Sequence, residues 1–330
     1  RFTIIFNGEF FNFKQHREFV KSKGFTLKSN SDTEVLLYLY IIEKEKCLER
    51  INGFFSLAIY DKEQHELFLA RDRYGVKPLL WYHDPDCFAF ASEMKSLLQY
   101  GFSLSLDYSS LFGYLQLNYI QPPFSIFKEV KKLKPGHFIK IRTDKKIEEI
   151  KEVCWYSIPE QPNIFPDYDS AKKQIEKLTD EAVQRRLISD VPLGCFLSGG
   201  IDSSIVTALA AQHTKHLKTF SIGFRDEPLF DETEYAKAVA EMHHTDHTVF
   251  SLTNDDLYDI LFDALDYLDE PFADSSALNV YLLSKQTRKE VTVALSGDGA
   301  DELFGGYNKH RAEWIIRNHG ALTSILKLIS

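Results

Sequence analysis

Ser198-Gly199-Gly200-Ile201-Asp202-Ser203-Ser204 gathers two glycines, three hydroxyls and a carboxylate into one short loop. Leu193-Gly194-Cys195-Phe196-Leu197, just before it, reads as a short buried strand. A helix is predicted to start near Asp202, with Ile201, Ile205, Ala208 and Leu209 on one face. Paired glycines let a backbone turn tightly and bring its N–H groups close to a ligand. A helix start adds unpaired N–H groups and a positive dipole end, which suit a phosphate. Ser198, Ser203 and Ser204 can donate hydroxyl hydrogen bonds. Asp202 alone would repel phosphate, so its presence points to Mg²⁺ bridging carboxylate and pyrophosphate. The loop has no Gly-Lys-Ser/Thr ending and no G-x-G-x-x-G spacing, so it is neither a Walker loop nor a dinucleotide fingerprint.

Ser296-Gly297-Asp298-Gly299-Ala300-Asp301-Glu302 repeats that logic after the strand-like Val291–Leu295. By itself it reads as an acidic, glycine-rich turn. Ligands of open α/β sheets sit beyond the carboxyl ends of the strands, so both loops are expected to meet over one nucleotide. Asp202 and Asp301 are then candidate Mg²⁺ ligands, and Asp298 lies nearer the reacting group. In the first half, Phe6-Asn7-Gly8-Glu9-Phe10-Phe11-Asn12, Ser31-Asp32-Thr33-Glu34 and Ala70-Arg71-Asp72-Arg73-Tyr74-Gly75-Val76-Lys77-Pro78-Leu79 are the polar stretches of interest. Asn7-Gly8 taken alone is a hairpin-turn signal.

The elements that must carry these residues follow from apolar spacing. Phe54–Tyr60 and Leu67–Ala70 flank the turn-like Asp61–Gln64 as a hairpin would, and Phe88–Ala91 is a further strand. Helices are predicted over Phe13–Val20 and Thr33–Ile42, the second opened by Ser31 or Asp32 as N-cap. Hairpins with a few helices predict an α+β domain over residues 1–158. Pro159, Pro162 and Pro166 mark a linker over 159–168. Beyond it, Ala171, Ile175, Leu178 and Ala182 recur at helical spacing. Strands at 217–224 and 291–295 and a helix at 233–243 then predict βαβ units and a parallel sheet over 169–330.

Composition narrows the function classes. Residues 1–150 hold 22 Lys and Arg against 19 Asp and Glu, a balance of +3, and the remainder holds 17 against 29, or −12. Neither half offers the strong basic face of a nucleic-acid binder. An anionic ligand on the acidic half implies a local phosphate loop and a divalent cation, not long-range attraction. Cys47, Cys87, Cys154 and Cys195 show no zinc spacing and no disulfide framework. The longest apolar run, Val35–Ile42, is far short of a membrane span, so a cytoplasmic protein with no membrane or nucleic-acid partner is expected.

Ser-Gly-Gly-Ile-Asp-Ser-Ser resembles the PP-loop of ATP pyrophosphatases. With Asp190-Val191-Pro192-Leu193-Gly194, Thr219-Phe220-Ser221-Ile222-Gly223-Phe224 and Leu295–Tyr307 in the same order, the chain resembles glutamine-hydrolysing asparagine synthetases over nearly its whole length. The three first-half stretches resemble class II glutamine amidotransferases. The resemblance implies an N-terminal-nucleophile αββα sandwich followed by an α/β PP-loop domain, both incomplete. It implies ATP binding by Leu197, Ser198, Gly199, Gly200, Asp202, Ser203, Ile222, Ser296 and Gly297, with the backbone near Leu197, Ile222 and Gly297 on the adenosine. Asn7 and Gly8 become the oxyanion hole, Glu9 and Asp32 the hold on the glutamine α-amino group, and Asp298 a catalytic residue where some relatives carry Glu.

The family's nucleophile is a cysteine at the mature N-terminus, whereas this sequence starts at Arg1 and its first cysteine is Cys47. That cysteine, an arginine for the glutamine carboxylate and a later lysine for adenylation are expected outside residues 1–330, which alone are expected to complete neither half-reaction. The implied activity is asparagine synthesis from aspartate and ATP, using ammonia from glutamine and releasing AMP and pyrophosphate, with a homodimer as one possible assembly. The alternatives are another amide-forming ligase of β-lactam synthetase or peptide-modifying type, and a non-catalytic nucleotide-binding module.

Overall fold

The computed structural model describes residues 1–147, 149–159 and 167–318. Most of the predicted linker, including Pro162 and Pro166, lies outside the described residues. By its contacts the chain forms two units, Arg1–Ser170 with Phe262–Ser275, and Ala171–Leu261 with Ser276–Ser330.

Period-two alternation builds the first unit. Strands β1 (Phe2–Phe10), β2 (Gly53–Asp61), β3 (Glu66–Arg71), β7 (His137–Arg142) and β8 (Val153–Cys154) form an antiparallel sheet in the order β1-β2-β3-β7-β8. A second sheet joins β5 (Phe88–Ala91), β4 (Leu80–His83) and β6 (Val130–Lys132) in that order. Helices α1 (Phe13–Ser22), α2 (Asp32–Glu43), α3 (Met94–Leu98) and α4 (Tyr108–Leu117) complete the unit.

Successive strand residues feed different cores. Phe55, Leu57, Ile59, Phe68 and Ala70 pack with Val20 of α1 and with Val35, Leu36, Leu39 and Tyr40 of α2. Their neighbours Ala58, Leu69, Ile139 and Ile141 join Leu79, Trp81, Phe88 and Phe90 in a second core. Leu80 and Tyr82 turn to a third, with Val130 and with Met94 and Leu97 of α3. Because side chains alternate across a strand, three cores interleaved this way can only be helix–sheet, sheet–sheet and sheet–helix layers. The unit is the αββα sandwich expected from the sequence. Full burial of each large apolar side chain stabilises by about 1.5–3 kcal/mol, so all three layers are fixed by residues such as Leu36, Leu69 and Leu97. Ser31 is the N-cap of α2, its side chain accepting from the Thr33 N–H.

Residues Phe262–Ser275, which the sequence reading assigns to the second domain, count with this first unit. The reason is electrostatic. Asp269 accepts the Met94 and Lys95 N–H groups at the free start of α3 (2.6 and 3.4 Å), and Glu270 pairs with Lys132.

The second unit holds a four-stranded parallel sheet in the order β11-β10-β9-β12, from β9 (Leu193–Phe196), β10 (Lys218–Phe224), β11 (Asp246–Leu252) and β12 (Val293–Leu295). Helices α5 (Tyr168–Arg186) and α6 (Ile201–His213) contribute Val183 and Ala210 to a core with Cys195 and Leu217. Helix α7 (Thr233–Met242) packs Ala236 and Ala240 on Leu197. The chain runs outward from β9 through β10 to β11, then returns to lay β12 on the other side of β9. Strand order therefore reverses between β9 and β12, which is where an open α/β sheet places its ligand. Among the described residues no helix is long and apolar enough to cross a membrane.

Candidate functional site

In the first unit, Asn7-Gly8 lies in the middle of the nine-residue strand β1 and not in a turn. The hairpin reading fails because the register pairs Asn7 with Ser56 and Gly8 with Phe55 without a break. Phe11 N–H donates to Asn52 O (2.9 Å) and Lys62 N–H to Arg1 O (3.1 Å), which sets the alternation. Odd-numbered residues of β1 exchange hydrogen bonds with β2, while even-numbered ones point theirs to the open edge. Phe10 N–H uses that edge to reach Asp32 Oδ2 at 3.0 Å. The Gly8 N–H faces the same side. Only glycine fits at position 8, since a Cβ would meet the Phe54 carbonyl oxygen and come within 2.7 Å of Phe55 Cα.

Asp32 stands beside this edge at the first turn of α2, and its carboxylate also accepts the Thr33 N–H at 2.6 Å. Glu34 accepts the Lys28 and Ser29 N–H groups at 2.8 and 2.7 Å and so shapes the loop leading to Asp32. Glu9 is exposed on β1. Asn7 donates through Nδ2 to Ser92 Oγ at 3.0 Å, and both line a cleft of about 440 Å³ with Ile5, Leu79, Phe88 and Phe90.

Arg71-Asp72-Arg73 proves to be scaffolding. Asp72, 1% exposed, accepts four backbone N–H groups, from Phe55, Tyr74, Val76 and Lys77, at 3.0–3.1 Å. Arg71 donates to the carbonyls of Lys77, Leu133 and Gly75 at 2.7–2.8 Å, and burial holds its guanidinium below the usual range. Arg73 ties the Ile51 and Glu49 carbonyls. These bonds fix β2, and through it the register of β1.

In the second unit, β9 and β12 are adjacent parallel strands, so the loops that follow them leave side by side. Gly199 takes φ +88°, a left-handed turn open to glycine, and a Cβ there would lie 2.6 Å from Tyr235 Cβ. Ser198 and Ser203 hydroxyls lie 2.9 Å apart, and Ser203 Oγ also accepts the Ser198 N–H at 3.2 Å. Gly200 caps α6 with no side-chain cap, which leaves the first N–H groups of a thirteen-residue helix at the loop. Leu197 is buried and its N–H donates to Phe220 O, while Ile222 lies two residues further along the same neighbouring strand β10.

The second loop touches the first. A Cβ on Gly297 would lie 2.8 Å from Ser203 N and 2.9 Å from Asp202 Cβ. Ser296 Oγ donates to Asp298 Oδ2 at 2.8 Å. Gly299 (φ +90°) starts the short helix α8 (Ala300–Phe304), which carries Asp301; that carboxylate folds against Gly306, where a Cβ would collide with it. Tyr307 donates to Glu302 at 2.9 Å, which holds the Glu302 carboxyl below its ordinary range. The structure thus joins Ser198–Ser203 to Ser296–Gly297 directly and sets Asp298 and Asp301 on the continuation of the second loop. Chemically, this brings together backbone N–H groups and hydroxyls, the donors that a phosphate would need, on two loops that also carry Asp202, Asp298 and Asp301.

An αββα unit with the Gly8 N–H at an open strand edge, followed by a parallel-sheet unit with two glycine loops in contact, is the architecture expected of an amidotransferase domain followed by a PP-loop domain. Residues 1–153 match the family described as glutamine amidotransferase domain, and residues 174–327 match asparagine synthase. The chain thus joins a stretch that matches a glutamine amidotransferase domain to one that matches asparagine synthase, and in this it is similar to the glutamine-hydrolysing asparagine synthetases.

It is 36% identical over 326 residues to asparagine synthetase [glutamine-hydrolyzing] 1 of Bacillus subtilis strain 168, covering 99% of this chain and 51% of that protein. It is 38% identical over 316 residues to putative asparagine synthetase [glutamine-hydrolyzing] 2 of Methanocaldococcus jannaschii, covering 93% and 59%. The chain spans about half the length of the curated relatives it matches.

Sequence reasoning did not single out Ser92, Asp269 or Glu270. Their partners are distant in sequence, and no local spacing announces them. The structural role of Asp72 had one signal, a carboxylate between two arginines followed by a Tyr-Gly turn.

Proposed function

We propose that the full-length protein makes L-asparagine from L-aspartate, ATP and ammonia drawn from L-glutamine. The observation that carries this reading is the seating of Gly297 against Asp202 and Ser203, at the reversal point of the parallel sheet. Two phosphate-competent loops in contact at one strand pair suit a nucleotide whose pyrophosphate is held while its α-phosphorus reacts. Ser198, Gly199, Gly200 and Ser203 would hold the pyrophosphate, with Leu197, Ile222, Ser296 and Gly297 beside the nucleoside. Asp202 and Asp301 would hold Mg²⁺, since their hard oxygens, one from each loop, leave most positions for phosphates and water, as that ion prefers. The ion would neutralise phosphate charge.

The aspartate β-carboxylate oxygen attacks the α-phosphorus of ATP, the α–β phosphoanhydride bond breaks, and pyrophosphate leaves. Ammonia then adds to the activated carbonyl, loses a proton and expels AMP. Asp298 would face the acyl centre. In the first unit, the nucleophile expected at the mature N-terminus would add to the glutamine amide carbon as the carbonyl π pair moves onto oxygen. Asn7 Nδ2 and the Gly8 N–H would receive that charge as neutral, preorganised donors. When the π pair returns, the C–N bond would break, ammonia would leave with the nucleophile's proton, and water would hydrolyse the acyl-enzyme to glutamate. Glu9 and Asp32 would take the substrate ammonium.

The test is aspartate-dependent release of AMP and pyrophosphate by the full-length protein with ATP, Mg²⁺ and ammonium chloride. ATP cleavage to ADP and phosphate, or none that depends on aspartate, would overturn the reading.

A further inference from the structure

We propose that Ser92 is a positioning residue for the oxyanion hole, holding the Asn7 amide so that its second N–H meets the developing charge. The inference deepens the glutaminase part of the proposed function and rests on it.

Asn7 is exposed on an edge strand. The terminal torsion of an asparagine side chain is broad, so an unheld amide would sweep a wide arc. Transition-state stabilisation requires the donor to be aimed before the charge forms. The backbone is already fixed, because Asn7 belongs to the hydrogen-bonding set that pairs β1 with β2. Among the described residues the side chain is held by Ser92, whose Oγ accepts one Nδ2 hydrogen at 3.0 Å. The other Nδ2 hydrogen lies in the same plane, about 120° away by the geometry of an amide.

Ser92 is itself held on both sides. It directly follows the last residue of β5, Ala91, which pairs with Leu80 in the second sheet. Two residues later Met94 opens α3, and its N–H is bonded to Asp269 at 2.6 Å. The Ser92 hydroxyl therefore sits on backbone anchored to a different sheet from Asn7, with the apolar cleft walls of Ile5, Leu79, Phe88 and Phe90 around the pair. A hydroxyl is also the right acceptor. A carboxylate would hold the amide equally well but would set a negative charge beside the oxyanion.

The experiment compares Ser92→Ala, Ser92→Thr and Ser92→Asp with wild type in the full-length protein. Glutamate release from glutamine and AMP release with ammonium chloride are measured separately. Ser92→Ala is expected to lower kcat for glutamine hydrolysis roughly 10- to 100-fold, the scale of a misplaced catalytic group. Its KM for glutamine should stay within about twofold, because only transition-state binding is lost. Ammonium-dependent AMP release should match wild type, Ser92→Thr should restore hydrolysis, and Ser92→Asp should fall below Ser92→Ala. Unchanged hydrolysis in Ser92→Ala would overturn the proposal. So would a parallel fall of both activities that Ser92→Thr does not repair. A wild-type protein that hydrolyses no glutamine would instead overturn the functional reading beneath it.

Discussion

At the scale of single residues, carboxylates do two kinds of work. Asp72 shows the structural kind. One buried side chain answers four backbone N–H groups from two segments of chain. Truncation to alanine strands those donors away from water, and each buried unsatisfied donor is costly. Asp72→Ala is expected to lose roughly 3–5 kcal/mol of stability in urea unfolding. A loss under about 1 kcal/mol would show that water or a shifted loop replaces the carboxylate. Asp202, Asp298 and Asp301 are proposed for the other kind, carried by the two loops that meet where Gly297 packs on Asp202 and Ser203.

At the scale of elements, the second unit depends on how closely two loops approach. Gly297 needs no left-handed backbone; its constraint is steric, with Ser203 N and Asp202 Cβ within 2.9 Å of where a Cβ would stand. Those neighbours are backbone or near-backbone atoms and cannot swing away. Gly297→Ala should therefore part the loops and lower aspartate-dependent AMP release roughly 100-fold, while glutamine hydrolysis persists. Equal AMP release by Gly297→Ala would show that the contact is incidental.

The pairing of β10 and β11 carries a pH dependence. His247 lies between Thr219 Oγ1 (2.9 Å) and Ser221 Oγ (3.3 Å), and burial depresses its pKa below 6.5. The folded state then binds fewer protons than the unfolded state, so stability rises with pH through this window and falls as pH drops below about 6.5. His16 of α1, also depressed by burial, acts in the same direction. The urea midpoint of wild type should fall between pH 7 and pH 5, and His247→Gln should flatten that fall. An identical slope in the variant would remove His247 from the account.

At the scale of the whole molecule, the parts legible in the sequence are those whose cause is local. Strand, glycine turn and helix follow one another within Leu193–His213, so the phosphate loop could be read directly. The hairpin of β2 and β3 and the N-cap of α2 were legible for the same reason. Strand β1 was hidden, because Asn7-Gly8 mimics a turn and only the pairing with β2 shows otherwise. Ser92 and Asp269 meet partners 85 and 175 residues away, and no periodicity encodes such a meeting. The placement of Phe262–Ser275 with the first unit was hidden likewise, since it rests on Asp269 and Glu270 finding α3 and Lys132. In the proposed function, the two half-reactions are coupled only if ammonia drawn from glutamine reaches the activated aspartate.

The most direct measurement supplies the full-length protein with MgATP, L-aspartate and glutamine labelled with ¹⁵N in its side-chain amide. Asparagine carrying ¹⁵N in its amide is expected, with one AMP and one pyrophosphate formed for each asparagine. Unlabelled aspartate recovered intact beside ADP, or AMP release with no label in asparagine, would contradict it.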